Sequence, residues 1–144
     1  MNHLERAPLG KNSDNPNKYS PELLFPINRA TNRSILGIES NSTPFFGVDI
    51  WNAYELSWLN HKGKPQIGIA TFIVPAHSPN IIESKSWKLY LNSLNNHSFN
   101  SEEALIKTLS TDLTATAGAF VSVKIARPEM VAAAGMKELQ GKLL

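Results

Sequence analysis

The chain has 144 residues, 42% apolar and 18% charged, with a formal net charge of +2. That is room for one domain with a sizeable core, and the field is too weak and scattered to argue for a nucleic acid or an anionic membrane as partner. Cysteine is absent, which excludes disulfides, thiolate metal sites and a cysteine nucleophile. No apolar run approaches the roughly 20 residues of a membrane span, and Glu5, Arg6 and Pro8 stand where a signal peptide would be apolar, so the simplest location is the cytoplasm.

Residues 1–48 are rich in Asn, Ser and Pro, and Pro8, Pro16, Pro21, Pro26 and Pro44 interrupt any long periodic element. They read as an extension on or beside a domain, with a flexible tail over 1–20 and ordered packing over 21–48 through Leu23-Leu24-Phe25 and Ile35-Leu36. From Asp49 to Asn60 the alternation predicts a strand with Ile50, Tyr54, Leu56 and Trp58 on one face and Ala53, Glu55, Ser57 and Leu59 on the other. A turn through Gly63 leads to a returning strand over Gln66–Val74, which Pro75 ends. Trp87, Tyr90, Leu91 and Leu94 then follow helical spacing. A second helix is predicted with Asn100 or Ser101 as cap, an apolar stripe of Leu105, Ile106, Leu109 and Leu113, and Gly118 at its end. Ala119–Arg127 alternates again as a third strand, and Leu139–Leu144 could begin a fourth. An antiparallel sheet with two helices on one face follows, an α+β domain over 49–144 incomplete at its C-terminus.

Glu83 shares the stripe of Trp87 and Tyr90, at or just before the first helical turn. A carboxylate there needs a partner, and three are open: the N–H groups of the helix N-terminus, Lys85 or Lys88, or a ligand that offers donors. His3, His61, His77 and His97 have no metal-ligand spacing and read as surface residues, so no metal is expected. Lys62-Gly63-Lys64 lacks the frame of a phosphate loop, and the alternating Trp51, Tyr54, Trp58 and Phe72 read as core.

The run Glu83-Ser84-Lys85-Ser86-Trp87-Lys88-Leu89-Tyr90 resembles the signature of the queuosine-pathway nitrile reductases. Further matches lie at Leu9-Gly10-Lys11, Leu23-Leu24-Phe25-Pro26, Pro44–Trp51 and Tyr54–Asn60, so the likeness runs from about Leu9 to about Arg127. It is similar to the N-terminal half of the bimodular form. The resemblance implies the tunnelling fold shared with GTP cyclohydrolase-like enzymes, in the order strand-strand-helix-helix-strand-strand with the last strand truncated here. It also implies reduction of the nitrile of 7-cyano-7-deazaguanine to the amine of 7-aminomethyl-7-deazaguanine with NADPH, through a thioimide on a cysteine and an aspartic acid that delivers protons.

By the same resemblance Ile82, Glu83 and Ser84 bind the deazaguanine, Ser84 and Lys85 bind NADPH, and Asp49 and Glu55 match the family without an assigned task. The cysteine, the aspartate, a His-Glu pair at the substrate and an Arg-Gly pair at the cofactor belong to the other half and have no counterpart here. The chain is therefore expected to be inactive alone and to need a C-terminal catalytic half, with a homodimer as the full-length form. The alternative is a non-catalytic binding module that holds a deazapurine. A zinc-dependent pterin enzyme is disfavoured because no Cys/His cluster exists.

Overall fold

The computed structural model describes residues 7–8, 10–11, 16–39 and 43–130. Its elements in chain order are β1 (Pro26–Asn28), α1 (Arg29–Ile35), β2 (Val48–Asn60), β3 (Pro65–Pro75), β4 (Asn80–Ile82), α2 (Ser84–Asn92), β5 (Ser98–Phe99), α3 (Glu102–Ala117) and β6 (Ser122–Ala126), with a 3-10 turn at Pro21–Leu23 before β1. The class is α+β. One sheet has the order β5-β2-β3-β6, and β1 and β4 form a separate two-stranded ladder. The sheet is mixed where an antiparallel one was expected, because β5 joins β2 in parallel at Leu59 and Asn60. The predicted fourth strand lies outside the described residues.

Two long antiparallel strands, β2 and β3, carry the rest. Their turn is set by Asn60, whose side-chain oxygen accepts from the N–H groups of Lys62 (2.9 Å) and Lys64 (3.0 Å), and by Gly63 at φ 74°. That left-handed backbone is cheap for glycine and costly for other residues. Between Ala53↔Ala70 and Leu56↔Gly68 the register shifts by one, so Tyr54 and Glu55 together oppose Ile69 in a β-bulge.

The bulge corrects the predicted alternation. Leu56 and Trp58 are buried as expected, but Ile50 (63% exposed) and Tyr54 (71% exposed) face away from the core. One extra residue reverses the side-chain phase, because strand side chains alternate with a period of two. On the inner face Leu56, Trp58, Ala70, Phe72, Val74 and Val123 meet Trp87, Tyr90 and Leu94 from the α2 side and Leu105, Leu109 and Leu113 of α3 in one buried cluster. Each fully buried large side chain contributes about 1.5–3 kcal/mol. Gly68 is glycine for space, since a Cβ there would stand 2.8 Å from Ile125 Cγ2.

Helix α3 forms as its sequence predicts. The Ser101 side chain accepts from the N–H of Ala104 at 3.1 Å, Glu102 and Glu103 occupy the first turn, and Gly118 closes the helix at φ 75°. The N-terminal segment is tied to both helices. Tyr19 donates to Asp112 Oδ2 of α3 at 2.6 Å, and Tyr90 of α2 donates to the same oxygen at 2.6 Å. Ser20 N–H donates to the Ser93 hydroxyl at 3.1 Å, and Phe25 N–H to the Ser86 hydroxyl at 3.0 Å. His97, expected on the surface, is half-buried between the rings of Tyr19 and Phe99, at 5.1 and 4.8 Å.

Candidate functional site

The start of α2 is where chain and chemistry converge. Helix N-termini leave backbone N–H groups without partners, and the side chain just before the helix is placed to satisfy them. Glu83 takes that position with extended backbone (φ −65°, ψ 132°). Its Oε1 accepts from Lys85 N–H at 2.8 Å and its Oε2 from Ser86 N–H at 2.7 Å. The Ser84 hydroxyl approaches Oε1 at 3.4 Å. Of the three partners left open by the sequence, the structure selects the helix N-terminus. With 4% exposure the carboxylate lies in the core's edge, neutralised by aligned backbone dipoles.

The backbone around Glu83 is held from the other side. Its N–H donates to the carbonyl of Phe25 at 2.9 Å, in line with the β1–β4 ladder that pairs Pro26 with Ile82. Ser86 donates to the Glu83 carbonyl at 2.7 Å. Ile82 and Glu83 are therefore buried, while Ser84 and Lys88 are exposed and Lys85 is half-buried. The Lys85 ammonium donates to the carbonyl of Lys11, whose own N–H donates to the Pro8 carbonyl at 3.1 Å, so Lys11 is tied to the start of α2.

Beside Ser84 a cleft of about 410 Å³ opens between β2 and α2. Trp51, Ala53 and Leu56 of β2, Phe72 of β3, and Trp87 and Leu91 of α2 form its apolar surface. Glu55, Ser84, Lys88 and Asn92 bring polar atoms to it. The rings of Trp51 and Trp87 lie 4.9 Å apart between centroids, and Phe72 meets Trp87 edge-on at 5.2 Å. Trp87 keeps its Nε1–H buried with no acceptor among the described residues. The sequence pattern assigned Trp51 to the core. Trp51 is instead half-exposed on the cleft wall, because the bulge places it on the inner face at the open end of β2.

Other polar groups near the site have structural partners. Asp49 is ion-paired with Arg29, whose Nε also donates to the Ser78 hydroxyl at 3.1 Å, a clamp between α1, β2 and the loop before β4. Among the described residues no group of three or more His, Cys, Asp or Glu could hold a metal ion. The Tyr90 phenol is pushed well above its ordinary pKa, by burial first and then by the hydrogen bond to Asp112 and that carboxylate's charge. Tyr19 is raised for the same reasons in the same order. These groups fix α2 against α3 and offer no reactive atom to the cleft. No described helix is long and apolar enough to cross a membrane.

These features define an α+β domain with a capped motif helix flanked by a ligand-sized cleft. Comparison with known proteins gives the family. Residues 15–125 match the family model described as nitrile reductase, 7-cyano-7-deazaguanine-reductase N-term. The chain belongs to this nitrile reductase family. It is 53% identical over 140 residues, 97% of its own length, to an NADPH-dependent 7-cyano-7-deazaguanine reductase of Chromobacterium violaceum. The enzymes of the same name from Ralstonia nicotianae and Burkholderia lata are 53% and 55% identical over 98% and 95% of the chain. The chain spans about half the length of these curated relatives, at 50%, 51% and 50%.

Proposed function

We propose that this chain serves as the N-terminal half of an NADPH-dependent reductase that converts the nitrile of 7-cyano-7-deazaguanine to the amine of 7-aminomethyl-7-deazaguanine in queuosine biosynthesis. The carrying observation is the 53% identity over 97% of the chain to an enzyme of that name, of which the chain spans 50%. In this reading residues 49–144 form a tunnelling-fold unit, 1–48 are its extension, and the protein works in the cytoplasm as a homodimer of full-length chains. The hairpin, two helices and following strand agree with that unit.

Ile82, Glu83 and Ser84 meet the deazaguanine. A carboxylate offers about four lone-pair positions, and two backbone N–H bonds with one long hydroxyl contact leave Glu83 capacity for a base N–H. The helix N-terminus holds that carboxylate oriented before the base arrives, which lowers the cost of binding. Ser84 and Lys85 meet NADPH. The donor set fits an anionic cofactor: the Ser84 hydroxyl and the Lys88 ammonium are exposed, and Lys85 is one residue from Ser84. The N–H groups of Lys85 and Ser86 are not free for its phosphates, since Glu83 already holds them. NADPH supplies hydride when bound. This chain's residues bind and orient, and the buried wall of Trp87, Leu56 and Phe72 keeps water from one side.

The chain has no cysteine, so a thiol that adds to the nitrile must come from a separate C-terminal half. The 144-residue chain is expected to leave NADPH unoxidised with the nitrile, and the chain completed by a C-terminal half to consume two NADPH per nitrile. Turnover by the chain alone, or none by the completed protein, would refute the reading. Deazaguanine binding without turnover in the completed protein would favour a non-catalytic module.

A further inference from the structure

We propose that the cleft between the bulged part of β2 and α2 receives one heteroaromatic ring of the nicotinamide dinucleotide, stacked on Trp51 with its exocyclic amide or amine donating to Glu55. The inference rests on the functional reading above and assigns residues which that reading leaves without a task.

The bulge creates the site. Inner-face phase is set by Trp51 and Ala53 before it and by Leu56 and Trp58 after it, and Glu55 stands between the two phases. A carboxylate is thereby set beside an otherwise apolar cleft at the edge of the sheet. Among the described residues that edge is open, because β5 pairs with β2 only at Leu59 and Asn60. Glu55 has no hydrogen-bond or ion-pair partner among the described residues, and neither does Lys88. Nearby, the buried Trp87 Nε1–H lacks an acceptor among the described residues.

The chemistry of the lining selects the ligand. Apolar and aromatic walls with a few convergent polar groups suit a flat ring, and about 410 Å³ lies within the range of small-ligand sites. Ser84 and Lys88 sit at i and i+4 of the same helix, so a hydroxyl and an ammonium share the cleft's α2 side. A neutral base would use the ring surface and leave the ammonium idle. A dinucleotide uses both, with a ring on Trp51 and phosphate oxygens on Lys88 and Ser84. Both of its rings carry an NH₂ group for Glu55, the nicotinamide as a carboxamide and the adenine as an amine.

The three tryptophans make the test direct. Trp51 and Trp87 line the cleft, whereas Trp58 is buried elsewhere on β2 under the Arg127 guanidinium and serves as internal control. Indole N–H resonances of the isotope-labelled chain are followed while NADPH, reduced nicotinamide mononucleotide, 2′-phospho-AMP or 7-cyano-7-deazaguanine is added separately. NADPH and one mononucleotide should move the Trp51 and Trp87 signals and leave Trp58 in place. Whichever mononucleotide does so identifies the ring. W51A should weaken binding roughly tenfold, as loss of an aromatic stacking surface does, and E55Q should weaken it as well. W51F keeps an aromatic wall and should bind nearly as wild type, which separates lost stacking from lost fold.

The inference is overturned if neither mononucleotide moves Trp51, if W51A and E55Q bind as wild type, or if only 7-cyano-7-deazaguanine moves the two signals. Activity of the completed reductase is measured separately. An active enzyme with an unmoved Trp51 sinks the cleft assignment alone, whereas an inactive one sinks the functional reading whatever Trp51 does.

Discussion

Replacing Glu83 by alanine, with no ligand present, separates a capping carboxylate from one kept only for binding. The structure gives the carboxylate two backbone donors, Lys85 N–H at 2.8 Å and Ser86 N–H at 2.7 Å, and the second bond is buried. Loss of a cap costs about 1 kcal/mol, within a range of about 0.5–2. The buried Ser86 N–H left without a partner adds about 1–3 kcal/mol, in part the same energy counted again. A total of about 2–3 kcal/mol is expected, which lowers Tm by roughly 6–10 °C in a domain of this size. E83Q keeps the volume and one acceptor oxygen but turns an NH₂ group toward one of the two N–H donors, so about half of that loss is expected. Thermal unfolding of the free chain followed by circular dichroism measures both. A carboxylate buried only for a ligand would destabilise the free chain, so its removal would raise Tm. An E83A Tm equal to or above wild type would therefore refute the capping account.

Three further outcomes follow from particular contacts. Gly118→Ala puts a Cβ 2.6 Å from Pro79 Cγ at a residue with φ +75°. It should cost at least about 2 kcal/mol from backbone strain and overlap together, read as a lower urea midpoint with an unchanged slope. Tyr90 and Tyr19 are raised, by burial and then by Asp112, above the pKa of about 10 at which an unfolded chain ionises. The folded state keeps its phenol protons while the unfolded state loses them, so stability is full below about pH 10 and falls above it, by up to about 1.4 kcal/mol per pH unit for the fully buried Tyr90. Tyr19 is half-exposed and contributes less. Urea midpoints across that range should fall less steeply for Y90F than for wild type, and equal slopes would refute the assignment. Breaking the Arg29–Asp49 pair with D49N should loosen α1 from β2, seen as faster amide exchange at Arg29, whose N–H donates to the Pro79 carbonyl at 3.0 Å.

Local signals were legible where one element carries its own punctuation. Helix α3 has a serine cap, two acidic residues in its first turn, leucines at 105, 109 and 113, and a glycine in the left-handed region at its end, all adjacent in the chain. The β2–β3 hairpin is similar, with long alternating runs around Asn60 and Gly63. Strands β1 and β4 were not legible, because three residues have no period and their pairing of Pro26 with Ile82 depends on tertiary packing. The role of Glu83 was half legible. Its place at the start of α2 could be read from spacing, but the choice among helix, lysine and ligand depends on geometry that spacing does not contain. The cleft was illegible as a site, since it is made by Trp51 and Trp87 meeting across two elements.

The bulge joins these failures to the function. Alternation through 50, 54, 56 and 58 looks continuous in the sequence, and only pairing with β3 reveals that Tyr54 and Glu55 oppose the single residue Ile69. Paired with β3 without a bulge, the same sequence would carry the face bearing Trp51 and Ala53 on through Glu55 and Ser57, and Leu56 and Trp58 would turn to solvent. Exposing both would cost about 3–6 kcal/mol at the usual rate for large apolar side chains. The irregularity thus keeps the far half of β2 in the core while the near half holds Trp51 over the cleft. It also leaves Glu55 at the boundary, with neither a core position nor a partner among the described residues. At a sheet edge that is open among the described residues, the one irregularity therefore does two things at once, holding Leu56 and Trp58 in the core and setting Trp51 and Glu55 along the cleft.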